Sequence, residues 1–196
     1  MVYRLEYRGV YLGRYQLSAK KEAGGGWRFE GKIVGFSPAR VLGFDLKLRS
    51  QTTPRLTTLR FEKTIQSPTQ GTLRLVAVVG QEVRAIRYQN GRVQGRYRAR
   101  ARNVRDDLSL VYHIRVRPEA QNVAFLGLYG IVRGPLTAGR PRELQVPAGR
   151  FRVRSFRFDQ RAAYFQVDLS EPERLPVRIV FGYGDERIVA LLLKKP

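Results

Sequence analysis

The chain has 196 residues, 43% of them hydrophobic, which fits one domain over residues 1–196 with a sizeable core and excludes a disordered basic tail. Thirty arginines and seven lysines against sixteen acids leave a net charge of +21, which favours contact with nucleic acid, anionic lipid or acidic polymer. The absence of cysteine and the single histidine, His113, exclude disulfides, thiolate catalysis, sulfur-ligated zinc and any metal site needing two imidazoles from one chain.

The opening Met-Val-Tyr-Arg-Leu-Glu-Tyr reads as a strand and carries no signal peptide. The protein is therefore expected in the cytoplasm, unless a leader is removed ahead of Val2, in which case it is periplasmic. Tyr3, Leu5 and Tyr7 alternate with Arg4, Glu6 and Arg8, and Tyr11, Tyr15 and Leu17 continue the same parity. Gly24-Gly25-Gly26 makes a turn into a returning strand from Trp27 to Phe36, which Ser37-Pro38 breaks. From Val41 to Arg49, Leu42, Phe44, Leu46 and Leu48 share a face. Leu59, Phe61 and Ile65 then alternate with Arg60 and Glu62. Leu73 to Val79 ends at a two-residue turn, Gly80-Gln81. Val83 to Gln89 meets Asn90-Gly91, the strongest short hairpin signal in the chain.

The strand leaving that hairpin carries Arg96, Arg98, Arg100 and Arg102 at one parity, with Tyr97, Ala99 and Ala101 at the other. Residues i and i+2 on a strand lie about 6.8 Å apart, so the four guanidinia form a ladder on one face, with the apolar side toward the core. From Asp106 the period changes. Leu108, Val111, Tyr112 and Arg115 fall at helical spacing behind Asp106 as N-cap, predicting one short helix near 106–116 that stops before Pro118. Asn122 to Val132 is apolar, and Gly134-Pro135 turns the chain. Arg150, Arg152 and Arg154 form a second ladder opposite Phe151 and Val153. The apolar parity slips at Ser155 to Phe156 and Phe158, which predicts a β-bulge there. Ala162 to Leu169, the turn at Glu171-Pro172-Glu173, and a hairpin across Tyr183-Gly184-Asp185 complete the chain. The expected fold is all-β: a long antiparallel meander forming a strongly curved sheet or partly open barrel, with no transmembrane helix, since no run reaches about 18 apolar residues.

Four stretches resemble one family. Leu5 to Gly13 is similar to the first strand and glycine turn of the DUF3108 family of bacterial proteins. Asp107 to Arg115 resembles its helix segment through Asp107, Ser109, Tyr112 and Arg115. Val146 to Phe151 resembles its strand entry through Pro147, Gly149 and Phe151. Leu175 to Ile179, with Pro176, looks like its closing hairpin. The resemblance implies an exported, β-rich envelope protein with no established activity, and it brings no catalytic residues.

Candidate chemistry is sparse. Asp106 and Asp107 can be a metal or acid/base pair, but capping accounts for them. Ser109 and His113, at i and i+4, can pair as nucleophile and base, yet no nucleophile elbow accompanies them. Arg115 can complement the helix dipole or pair with Asp106 or Asp107. No catalytic, cofactor-binding or metal-ligating residue is assigned, and no cofactor is implied. The two ladders read as a polyanion-binding surface or as the solvated side of a sheet.

Two functions follow. In the first, a non-enzymatic envelope protein holds a lipid-like ligand among inward residues (Tyr3, Tyr7, Phe44, Phe61, Phe151, Phe158) and meets anionic lipid or cell-wall polymer through its arginine face. In the second, a cytoplasmic sheet binds nucleic acid. This reading is weaker, because Tyr97 lies opposite the arginines, whereas an RNA-binding sheet presents aromatics and charge together. The preference for arginine over lysine fits a GC-rich genome and a thermophilic source.

Overall fold

The computed structural model of the protein describes residues 1–34, 43–68, 70–160, 163–183 and 186–195. The alternating segments become strands. The first group is β1 (Val2–Tyr7), β2 (Val10–Lys21), β3 (Trp27–Val34), β4 (Asp45–Thr52), β5 (Thr58–Ser67), β6 (Gly71–Val79), β7 (Val83–Gln89) and β8 (Arg92–Ala99). A two-residue strand β9 (Val104–Arg105) precedes helix α1 (Asp107–Val116). After it come β10 (Gln121–Gly127), β11 (Gly130–Ala138), β12 (Arg142–Val146), β13 (Gly149–Gln160), β14 (Ala163–Ser170), β15 (Pro176–Tyr183) and β16 (Glu186–Lys194).

Among the described residues all sixteen strands belong to one sheet, ordered β8-β7-β6-β5-β4-β3-β2-β1-β16-β15-β14-β13-β11-β10-β9, with β12 beside β13. Two meanders thus meet where β1 pairs with β16, Tyr3 opposite Leu192. The sheet is strongly curved and does not close. At its seam the chain leaves the edge strand β8 and crosses to β9, which pairs in parallel with β10. Side chains bridge the rest of the gap. Tyr97 lies against Gly130, Arg87 sits 4.4 Å over the Tyr129 ring, and Arg133 donates to the Arg100 carbonyl at 3.0 Å.

The concave side holds α1, which packs on β3 and β4 from one meander and on β14 and β15 from the other. Leu108, Leu110, Val111 and Ile114 are buried, each contributing about 1.5–3 kcal/mol of hydrophobic stabilisation. Tyr3, Phe61 and Phe158, expected to line a ligand cavity, are instead 0% exposed in the core around this helix. Phe125 packs on both Phe158 and Phe165, with ring centroids at 5.6 and 6.1 Å. The Asn90-Gly91 hairpin forms, with positive φ at both residues as its tight turn demands.

Several local expectations are corrected. Leu12, not Tyr11, takes the inward position in β2, because the register shifts opposite Leu5 and Glu6. Tyr11 then lies on the outer face under Arg4, 5.0 Å from its guanidinium. Leu59 is 44% exposed, because a shift in the β4–β5 register leaves it without an opposite residue. The same shift turns Thr58 inward. The β6–β7 loop has three residues, 80–82, rather than two, since Val79 pairs with Val83. Gly134-Pro135 does not turn the chain; both lie within β11, opposite Val123 and Asn122, and the turn falls at Leu128-Tyr129. Pro135 is tolerated because the β11–β13 ladder starts only at Leu136. No bulge interrupts β13 against β14 at Ser155. The buried face changes there because β13 exchanges one neighbour for another, β12 up to Val153 and β11 from Phe156. The strand course around Phe36, Ser37-Pro38 and Val41-Leu42, the residue Ala162, and the turn residues Gly184-Asp185 lie outside the described residues.

Candidate functional site

The β9–α1 junction fixes the geometry of the site. Asp106 has extended backbone at the N-cap, and its Oδ1 accepts from the Leu108 and Ser109 amides at 2.9 and 3.0 Å. Ser109 Oγ accepts from the Asp106 amide at 2.8 Å, completing a reciprocal capping box. Oδ2 of Asp106 accepts from Ser50 and Thr58 hydroxyls, both at 2.6 Å. Burial pushes the Asp106 carboxyl above its ordinary pKa, against the hydrogen bonds from Ser50, Thr58 and Ser109. Beside it, Asp107 forms an ion pair with Lys63 at 3.1 Å, its side chain only 3% exposed. The two aspartates therefore pin α1 to β4 and β5. Arg115 pairs with neither: Lys63 holds Asp107, and Arg115 Nε donates to the Arg174 carbonyl at 3.0 Å.

Ser109 and His113 are not brought together. The serine oxygen is engaged by Asp106 and Thr58, while His113 Nε2 meets Gln121 Oε1 at 3.2 Å. Burial holds the His113 pKa below its usual value, Arg105 and Arg117 acting in the same direction. Among the described residues no group of three or more His, Asp or Glu is placed to hold a metal ion, and no helix is long and apolar enough to cross a membrane.

Beside α1, at the end of the sheet where β3 and β10 begin, lies a cavity of about 900 Å³. One wall is aromatic. Trp27 stacks on Phe29 with centroids 6.3 Å apart and planes 7° from parallel, and Phe29 stacks on Tyr112 at 4.4 Å. The remaining lining carries Arg55, Arg105, Arg115, Arg117 and Arg174 against one acid, Glu173. Arg115 lies 5.5 Å from the Tyr112 ring, and Arg174 Nη1 returns a 3.5 Å bond to the Arg115 carbonyl. These two guanidinia are thus held by carbonyl oxygens, which leave their charge uncancelled.

The ladders lie elsewhere. Arg96, Arg98, Arg100 and Arg102 are exposed, but β8 ends at Ala99, so only Arg96 and Arg98 stand on the strand, with Tyr97 between them turned inward, and the expected four-residue ladder is cut to two. Arg98 meets Glu82 at 2.7 Å. Arg150 and Arg152 are exposed and Arg154 half-buried. Arg152 and Arg154 share Glu171, at 3.5 and 3.2 Å. Of the residues in the family-like motifs, Tyr112 and Arg115 line the cavity, Asp107 and Ser109 belong to the junction, and the carbonyl of Pro176 accepts from Tyr3 at 3.0 Å. Gly149 takes positive φ in the turn after Pro147, and Lys195 Nζ lies 5.0 Å over the Phe151 ring. Parity reasoning finds strand faces. It misses Arg55, Arg105, Arg117 and Arg174, which come from four separated stretches; the clustering of Arg105, Arg115 and Arg117 around the predicted helix is the signal that was available.

No family model matches the chain, and no curated protein matches it. Among solved structures it is similar to a β-barrel-like protein of the domain of unknown function DUF1849 from Brucella abortus, with 10% sequence identity, a TM-score of 0.61, and coverage of 98% of this chain and 94% of that one. The likeness extends to the fold: a curved, barrel-like, mostly antiparallel sheet.

Proposed function

We propose that this is a non-enzymatic protein of the bacterial envelope that holds an amphipathic ligand in the cavity beside α1 and meets anionic lipid or cell-wall polymer through its arginine-rich exterior. The observation that carries the reading is the cavity itself, in which a stacked aromatic wall of Trp27, Phe29 and Tyr112 faces five arginines. Its volume, about 900 Å³, falls within the range of small-molecule sites. Resemblance to the DUF3108 family supports the envelope setting and export to the periplasm. The ligand site sits at one end of the sheet rather than in its interior, because α1 fills the concavity.

The test is native mass spectrometry of protein purified without detergent, together with sedimentation on anionic liposomes at low salt. Co-purified amphiphile, or liposome retention that falls as salt rises, is the expected result. Absence of both signals would overturn the reading. Oligonucleotide binding with a steep log–log salt slope would place nucleic acid ahead of it.

A further inference from the structure

A guanidinium removed from water needs a counter-charge and a full set of acceptors to offset its desolvation. Arg105 has neither in full. It is 7% exposed; Nη1 donates to Thr57 Oγ1 at 3.0 Å and Nη2 to the Arg55 carbonyl at 3.3 Å. Its Nε is buried with no partner among the described residues. The neighbouring Asp106 supplies charge at a distance but no acceptor, because both of its oxygens are engaged by other donors.

Gln121, at the start of β10, repeats the pattern. Its Oε1 is taken by His113 Nε2, which sets the amide so that Nε2 is left as donor, and that nitrogen is also buried without an acceptor. Arg105 and Gln121 line the same cavity, alongside Arg117. Two buried N–H donors and a surplus of positive charge call for one chemistry, an acceptor that carries negative charge. The planar guanidinium suits an oxyanion better than a lysine would.

We propose that the cavity contains a subsite for a compact oxyanion, a carboxylate or phosphate monoester at the head of an apolar chain. Its oxygens accept from Arg105 Nε and Gln121 Nε2, and its apolar part lies along Trp27, Phe29 and Tyr112. His113 is a positioning residue that holds the Gln121 amide. This inference rests on the cavity being the ligand site proposed above.

Calorimetric titration with dodecanoate, dodecyl phosphate and dodecanol tests it on the wild type and on Arg105→Met, Gln121→Leu and the exterior control Arg98→Ala. Wild type and Arg98→Ala are expected to bind one or both anions at least tenfold more tightly than dodecanol. The tighter anion identifies the source of the oxyanion. Gln121→Leu and Arg105→Met should each lose about tenfold or more in anion affinity, the scale of a charge-assisted hydrogen bond, with dodecanol affinity unchanged. If Arg105→Met fails to fold, Gln121→Leu and Arg105→Lys carry the test, the lysine keeping the charge but lacking Nε. Equal wild-type affinity for all three ligands, or variants that retain the anion preference, would overturn the subsite and leave the cavity reading standing. Wild-type binding to none of them would overturn both.

Discussion

Beneath α1, Asp106 is 0% exposed and both its oxygens accept hydrogen bonds, whereas one residue earlier Arg105 is nearly as buried and its Nε meets no acceptor. These neighbours divide the molecule into two polar regions. On the β4–β5 side, Ser50, Thr58, Ser109, Lys63 and the two aspartates satisfy one another. On the cavity side, arginines are held by carbonyls and buried donors are left over. The contrast teaches that density of charge does not by itself mark a site: among the described residues Arg105 Nε and Gln121 Nε2 are two unpartnered buried donors on residues lining one cavity, whereas Tyr15 Oη in the core and Arg154 Nε in the second ladder stand apart from each other. The ladders carry as much charge as the cavity, but all their members except Arg154 are exposed, and several already meet Glu82 or Glu171.

The comparison breaks most visibly at the junction. Asp106→Leu leaves two hydroxyls and two amide groups without their acceptor, so stability should fall by about 4 kcal/mol in denaturant unfolding; a loss under about 1 kcal/mol would show that the junction does not hold the helix. Lys63→Met strands the buried Asp107 carboxylate and should lower stability by about 3 kcal/mol, with much of that recovered in the double variant Lys63→Met/Asp107→Leu. Gly31→Ala comes next. A Cβ there would run into the buried hydroxyl of Tyr15, and overpacking of this kind lowers stability by about 1–3 kcal/mol, readable as a drop in Tm.

On the cavity side the expected effect is smaller and depends on pH. Burial lowers the His113 pKa below its usual 6.5, so the unfolded chain takes up that proton first. Stability from this group is complete above about pH 6.5 and declines as pH falls from there toward the depressed folded value. His113→Asn should flatten that decline in unfolding midpoints measured between pH 7 and 5; an unchanged slope would assign it to other groups. The smallest effect belongs to the ladder. Arg98→Ala should leave the unfolding midpoint unchanged within error, because its ion pair with Glu82 is exposed and screened by solvent.

The sequence shows the strands because one face of each is buried and alternation survives in the residues themselves, as at Tyr3 and Leu5 or Phe156 and Phe158. It shows the helix because Asp106 caps it and Leu108 and Val111 repeat at its period. What it hides depends on partner strands. Leu12 and Leu59 change sides at register shifts, which arise between strands and leave no mark in either one. The cavity is hidden for the same reason at larger scale. Trp27 and Phe29 look like ordinary inward residues until α1 brings Tyr112 against them, and Arg55, Arg105 and Arg174 become neighbours only through the curvature of the sheet.

The pairing of β1 with β16 sets a timetable for synthesis. Strands β1 to β8 can add to one another in the order in which they leave the ribosome, each beside the one before. The free side of β1 must wait until Glu186–Lys194 has emerged, separated from it by nearly the whole chain. For that interval an unpaired strand edge is open to pairing with other chains. Closure across so long a sequence separation is slow. The nascent protein is therefore open to aggregation through β1 until Glu186–Lys194 has emerged, and a binding factor that shields β1 during that interval would raise the yield of folded chains.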